Sequence, residues 1–300
     1  MEIVKVVPRG YCQGVVRAIQ IARTTAETHP DQKISMLGMI VHNRYVVEAC
    51  EKLGIRCLES PGLTRLELLD QIDEGIVIFT AHGVSDAVFE KARAKGLTIV
   101  DATCPDVEKT HRLIREHTSS GDVLYIGKRN HPEAEGALGI SPRVHLITGI
   151  QDLEELGPLE NVMITNQTTL SMLDTADLIS ACLERYPDAA ANPEICTATT
   201  MRQKAVMALT DTDLLVVVGD PHSNNSNQLR EIGKKAGIPA ALLIETADDL
   251  REDLIRGKHR IAVTSGSSTP TPLTDAVIAT LEHYAETGTF VIQKQTAPIL

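Results

Sequence analysis

The chain has 300 residues, of which 43% are hydrophobic and 23% charged. That is the make-up of a folded protein with two or three compact units, and it excludes a disordered or collagen-like chain. Against 29 Lys and Arg stand 40 Asp and Glu, a net charge of −11, which disfavours general binding to nucleic-acid backbones. An anionic ligand must then be drawn in locally, by backbone N–H groups, hydroxyls and histidines. With no Trp, three Phe and five Tyr there is no stacking platform for single strands.

Glu2, Lys5, Arg9 and Arg17 break up any signal-peptide core in the first twenty residues. The longest apolar runs, such as Leu214–Val218, are too short to span a bilayer. Six cysteines without an export signal read as reduced thiols or metal ligands, and the chain reads as cytoplasmic.

Strand patterns fall at Ile3–Val7, Ile34–Gly38, Ile76–Phe79, Thr98–Val100, Val123–Ile126, Val144–Ile147, Val162–Thr165, Leu214–Val218, Ala241–Ile244 and Ile261–Thr264. Between them lie helical patterns at Val15–Ala26, Ala87–Lys95, Val107–His117, Leu173–Arg185, Arg202–Thr210 and Pro272–Tyr284. Such alternation predicts α/β units with mainly parallel sheets, whose ligands collect at the C-terminal ends of strands.

A repeat runs through this alternation. Cys12, Cys104 and Cys196 are spaced 92 residues apart, twice over, and each stands where a helix pattern begins. About thirty residues after each cysteine come His42-Asn43, His131-Pro132-Glu133 and Ser223-Asn224-Asn225. About seventy after come His82-Gly83, Thr168-Thr169 and Ser267-Ser268, just beyond the apolar runs IVIFTA, VMITNQ and IAVTSG. The reading is three similar α/β units of roughly ninety residues, each giving one thiol and two polar loops to a shared centre.

Cys50, Cys57 and Cys182 read as small buried hydrophobes. The three equally spaced cysteines read as ligands. A zinc site normally shows paired ligands such as C-x-x-C, and none is present, so isolated thiolates suit an iron–sulfur cluster better, with one iron left open. The polar loops offer donors to an oxyanion, and Glu133 is the carboxylate placed to supply a proton. Ser223 and Thr168 also fit plain helix caps. His111, His117, His145 and His222 read as ordinary. There is no P-loop, no G-x-G-x-x-G after a strand, no H-E-x-x-H and no G-x-S-x-G.

The stretches PRGYCQGVVRAI, VHNRYVV, AHGVS, DATCPDVEKTH, HPEAEG, NQTTLS, EICTATTMRQKA, SNNSNQL and TSGSSTP run in order from residue 8 to about 270. In these the sequence resembles the 4-hydroxy-3-methylbut-2-enyl diphosphate reductase (LytB) family. The resemblance implies three α/β domains, at 13–104, 105–195 and 196–284, in a pseudo-threefold trefoil around a central cluster, with 1–12 and 285–300 packing on that core. It implies one [4Fe-4S] cluster on Cys12, Cys104 and Cys196, its apical iron open to the substrate's C4 hydroxyl. His42, His82, His131, Ser223, Asn224, Asn225 and Ser268 would hold the diphosphate, Thr168 would bind the substrate through its hydroxyl, Glu133 would deliver protons, and Glu133, Thr168 and His131 would make up the catalytic set. The implied reaction is reductive dehydroxylation to isopentenyl and dimethylallyl diphosphates, the last step of the methylerythritol phosphate route, with electrons from a ferredoxin or flavodoxin. Many relatives are expected to carry Ser where this chain has Asn224. The alternatives are a non-catalytic diphosphate-binding or redox-sensing iron–sulfur protein, and a metal-free enzyme with one nucleophilic cysteine.

Overall fold

The structure, a computed structural model, describes residues 1–295 and 297–300. It opens with β1 (Glu2–Lys5) and α1 (Gln13–Thr28), then β2 (Ile34–Leu37), α2 (Arg44–Lys52), β3 (Ile55–Leu58), α3 (Arg65–Leu68) and β4 (Ile76–Phe79). There follow α4 (Asp86–Ala94), β5 (Thr98–Asp101), α5 (Pro105–His117), β6 (Val123–Ile126), α6 (Pro132–Leu138), β7 (Val144–Ile147) and α7 (Ile150–Glu155). After β8 (Met163–Asn166) come α8 (Met172–Arg185), β9 (Ala190–Ala191), α9 (Thr197–Met207), β10 (Leu214–Val218), α10 (Asn224–Lys235) and β11 (Ala241–Ile244). The last elements are α11 (Glu252–Ile255), β12 (Arg260–Ser265) and α12 (Thr271–Thr287).

Two compact units divide the chain. One holds residues 1–13, 42–49 and 197–300, and the other holds 14–41 and 50–196. The first unit contains one four-stranded sheet, in the order β11-β10-β12-β1; the second contains two, β3-β2-β4-β5 and β7-β6-β8-β9. Every strand pair among the described residues is parallel.

Parallel strands covered on both faces are apolar throughout, not alternating, and LLVVV in β10 is buried at all five positions. Its alternate residues face two cores. Leu215 and Val217 pack with Val206, Leu229 and Ile232; Val216 and Val218 pack with Val277 and Leu281. Each such aliphatic side chain contributes about 1.5–3 kcal/mol on burial. In the second unit, Leu37 and Phe79 pack on Val88 and Ala92, Val123 and Tyr125 on Ile114, Ala134 and Ala137, and Leu124 and Ile126 on Leu153 and Cys182.

All three sheets share one topology. Numbered by chain order within each sheet, the strands lie 2-1-3-4, and in the first unit's sheet the fourth place is taken by the N-terminal strand β1. The order reverses between places 1 and 3, which makes that edge of each sheet a switch point where two loops diverge and leave a crevice.

The expected strands are all present, with ends within two residues of the sequence reading, and the parallel α/β class holds. Several elements were not anticipated. Ala190–Ala191 pairs by backbone alone with Met163 and Ile164, and it has no apolar pattern to betray it. The helix expected to start at Arg202 starts at Thr197, and α2, α6 and α7 appear where only loops were read. Thr168 caps no helix: Ser171 is the N-cap of α8, its hydroxyl accepting from the Asp174 N–H. Cys57 is partly exposed on the edge strand β3, whereas Cys50 and Cys182 are wholly buried.

Candidate functional site

Each of the three spaced cysteines sits between the fourth strand of a sheet and a helix. Cys12 follows β1 and precedes α1, Cys104 follows β5 and is the N-cap of α5, and Cys196 follows β9 and precedes α9. One hydrogen bond recurs at all three. The cysteine N–H donates to a carbonyl in the loop after the third strand: Cys12 to Ser267 (3.1 Å), Cys104 to Ala81 (3.0 Å) and Cys196 to Thr168 (3.1 Å). This bond fixes each cysteine beside the loop that carries Ser268, His82 or Thr168. The first polar set likewise follows first strands, with His42 after β2, His131 after β6 and Ser223 after β10.

In the first unit, three loops meet. The Ser268 hydroxyl donates to the His42 carbonyl at 3.0 Å, and the Ser267 N–H donates to Asn225 Oδ1 at 3.2 Å. Asn225 Nδ2 donates to the Thr199 hydroxyl at 3.1 Å, so the amide's orientation is set from both ends. Ser223 is the N-cap of α10, its oxygen accepting from the Ser226 N–H, which leaves its own proton available to an anion at a positive helix end. Asn224 is buried at the first position of that helix. Ser226 is wedged so tightly that a Cβ on Gly219 or Gly266 would lie 2.2 or 2.1 Å from its hydroxyl oxygen, so only glycine fits at either place.

The second unit gathers His82, His131, Glu133 and Thr168. The rings of His82 and His131 meet edge to face, with centroids 5.7 Å apart. His131 caps α6: its Nδ1 accepts from the Glu133 N–H at 3.2 Å, which puts the ring proton on Nε2, the nitrogen that can donate outward. Glu133 is 2% exposed, and its two carboxylate oxygens accept from the Thr168 N–H (2.7 Å) and the Thr168 hydroxyl (3.1 Å). Burial pushes the Glu133 carboxyl up to about 7 against the pull of those two bonds, so near neutral pH it can both hold and give a proton.

Cys12, Cys104 and Cys196 are partly exposed, lie outside any disulfide and stand at the starts of helices. Burial instead pushes the Cys50 and Cys182 thiols up to about 11, the behaviour of inert core cysteines. Among the described residues no three His, Cys, Asp or Glu gather around a single-ion position. Partly exposed thiols at helix starts are the donor type that an iron–sulfur cluster takes, and on that chemistry the residues fit one.

Several supporting residues went unmarked in the sequence. Buried Arg202 donates from Nη2 to the Gly10 carbonyl at 2.7 Å and braces the loop leading into Cys12. Buried Asp220 accepts the Arg44 N–H at 3.2 Å and holds the chain just after His42. Lys109 on α5 pairs at 2.8 Å with Glu194, which lies two residues before Cys196. His111, read as ordinary, is 4% exposed beneath the loops of the second unit, and its helical spacing from Val107 and Ile114 was the available signal.

Comparison with known proteins agrees with this geometry. Residues 3–282 match the family described as LytB protein. The 4-hydroxy-3-methylbut-2-enyl diphosphate reductases of Brevibacillus brevis and Symbiobacterium thermophilum are 52% and 50% identical to this chain. Each alignment takes in 95% of this chain, and 93% and 98% of the respective relative. Among solved structures, the E-1-hydroxy-2-methyl-but-2-enyl-4-diphosphate reductase of Plasmodium falciparum matches 99% of this chain and 92% of its own, with a TM-score of 0.88 at 30% identity. A second, an (E)-4-hydroxy-3-methyl-but-2-enyl diphosphate reductase described as the terminal enzyme of the non-mevalonate pathway, matches 94% and 100%, with a TM-score of 0.65 at 28% identity. With three parallel sheets of one topology, three cysteines in equivalent loops and a family match over nearly the whole chain, this protein belongs to the LytB family.

Proposed function

We propose that this chain is a 4-hydroxy-3-methylbut-2-enyl diphosphate reductase. It would convert its substrate, two electrons and two protons into isopentenyl or dimethylallyl diphosphate and water. The observation that carries the reading is the pairing of Glu133 with Thr168: a buried carboxyl, raised to about 7, at a loop whose next strand-end neighbour is a cysteine. Whole-length identity near one half to reductases of that name supports it.

In this reading Cys12, Cys104 and Cys196, each at the border that opens one of the segments 13–104, 105–195 and 196–284, would hold a [4Fe-4S] cluster as thiolates. When bound, the cluster supplies the electrons one at a time and a Lewis-acidic iron. The protein's own groups do the rest. His42, His82, His131, Ser223, Asn224, Asn225 and Ser268 hold the diphosphate by hydrogen bonds, with α10 adding its positive end. His131 donates from Nε2, since its Nδ1 is engaged by the Glu133 N–H. Thr168 keeps Glu133 aimed, and Glu133 gives the proton that lets the hydroxyl leave as water. The electrons come from a ferredoxin or flavodoxin. No helix among the described residues is long and apolar enough to cross a membrane.

The test is anaerobic purification, with iron, sulfide and visible absorption measured before and after adding the hydroxymethylbutenyl diphosphate. The expected result is a brown protein whose absorption responds to that ligand and which forms both products with a one-electron donor. A colourless protein that resists reconstitution would sink the reading.

A further inference from the structure

His111 is buried between two site-bearing elements. A Cβ built on Gly83 would lie 3.0 Å from His111 Cε1, and one built on Gly136 would lie 3.1 Å from Cε1 and 3.3 Å from Nε2. Gly83 follows His82 and has φ +73°, a left-handed conformation that favours glycine, while Gly136 lies in α6 three residues after Glu133. The same Gly136 position lies 3.5 Å from the Gly83 carbonyl carbon, so the ring edge abuts both backbones where they come together. His111 stands on α5 at helical spacing from Val107 and Ile114, all three buried. Its Nε2 is buried with no hydrogen-bond partner among the described residues. An imidazole that makes no hydrogen bond there, yet meets two glycines, acts through its shape.

We infer that His111 is a positioning residue: its ring is the wedge that sets the separation between the His82 loop and the helix carrying His131 and Glu133. The edge-to-face contact of His82 with His131, at 87° between ring planes, is the geometry that the wedge maintains. The fit is tight from the helix side. Alanine at 136 would crowd the ring by a few tenths of an ångström, although alanine favours helix more than glycine does. A purely structural role therefore predicts that Gly136→Ala is harmless or stabilising, and the wedge predicts that it is not.

The inference rests on the roles proposed above for His82 and Glu133, and the experiment separates the two. Holoprotein labelled with nitrogen-15 in histidine is prepared as wild type, Gly136→Ala, His111→Asn and the double variant. Ring resonances, iron content, thermal midpoint, and kcat and KM for the hydroxymethylbutenyl diphosphate are measured. Gly136→Ala is expected to keep its iron and midpoint, to move the His82 and His131 ring signals, and to lower kcat/KM on the order of tenfold. His111→Asn is expected to move the same signals, and the double variant to recover part of the loss, a coupling that independent sites would not show. Ring signals that stay put in both single variants, or signals that move while kcat/KM is intact, would overturn the inference. A wild-type chain with no turnover, whose ring signals still respond to Gly136→Ala, would support the wedge and sink the reductase reading instead.

Discussion

Thr168 grips Glu133 by both oxygens at once, with its N–H to one and its hydroxyl to the other. The grip spans 35 residues and joins the first-strand and third-strand loops of one sheet across its switch point. Two donors pointing at a carboxylate ordinarily lower its pKa, yet here burial outweighs them, and the group is poised near neutrality. The bonds fix direction; the burial fixes protonation.

Replacing Glu133 by Gln keeps the Thr168 N–H bond and the volume but removes the transferable proton. Turnover is expected to fall by about 100-fold or more, the range of a lost general acid, with cluster content and substrate affinity retained. Undiminished kcat would remove Glu133 from the chemistry. In the wild type, the acid form is depleted above a pKa of about 7, so kcat falls roughly tenfold per pH unit beyond it. A flat profile from pH 6 to 9 would contradict that assignment.

Stability carries a second pH signature, from His111. Burial, then the charge of Arg115, holds this imidazole down at about 4, below the ordinary 6.5. The unfolded chain therefore binds a proton at pH values where the folded chain does not. The folded state keeps its full margin above pH 6.5 and loses on the order of 3 kcal/mol as pH falls towards 4. Denaturant melts of wild type and His111→Asn across this window check it. The variant's curve should be flatter, and parallel curves would refute the buried neutral ring.

Among the cysteines, Cys12→Ser, Cys104→Ser and Cys196→Ser are each expected to lose bound iron and activity. Cys50→Ser should keep both, because its thiol is buried and inert, at a stability cost of about 1 kcal/mol for a hydroxyl placed in an apolar site. Iron analysis of the four proteins decides the ligand set; equal iron in all four would break it.

Arg202→Met deletes the donor to the Gly10 carbonyl while keeping an apolar stem. Leaving a buried carbonyl unpaired costs about 1–3 kcal/mol. The loss should appear as a lower thermal midpoint and faster loss of iron on exposure to air, since the loosened loop runs into Cys12. An unchanged iron lifetime would limit Arg202 to plain packing.

Much of the fold was legible because parallel strands buried on both faces leave dense apolar runs such as LLVVV and IVIF. The repeat was legible because chemistry recurred at a fixed interval. What escaped had no local signature. Ala190–Ala191 is exposed and holds its place by backbone pairing alone, and PEAEGAL in α6 is too short for a helical period to show. Thr168 reads like a cap in sequence, and only the fold reveals that Ser171 does the capping while Thr168 turns to Glu133. His111 had a signal in its spacing from Val107 and Ile114, but helical periodicity tells burial and not which backbones a ring will meet.

The strand that completes the first unit's sheet is made long before its partners in that sheet. Among the described residues β1 pairs only with β12, and the Gly10 N–H donates to the hydroxyl oxygen of Ser265, 255 positions later. During synthesis the segment leading into Cys12 must wait, unpaired, until β12 has been made, whereas the other two sheets draw all four strands from continuous stretches. Pairing so distant in sequence is slow to form. Translation order thus makes the Cys12 loop the last of the three to mature, and a newly made chain truncated before residue 260 would carry two finished sheets and an unpaired β1.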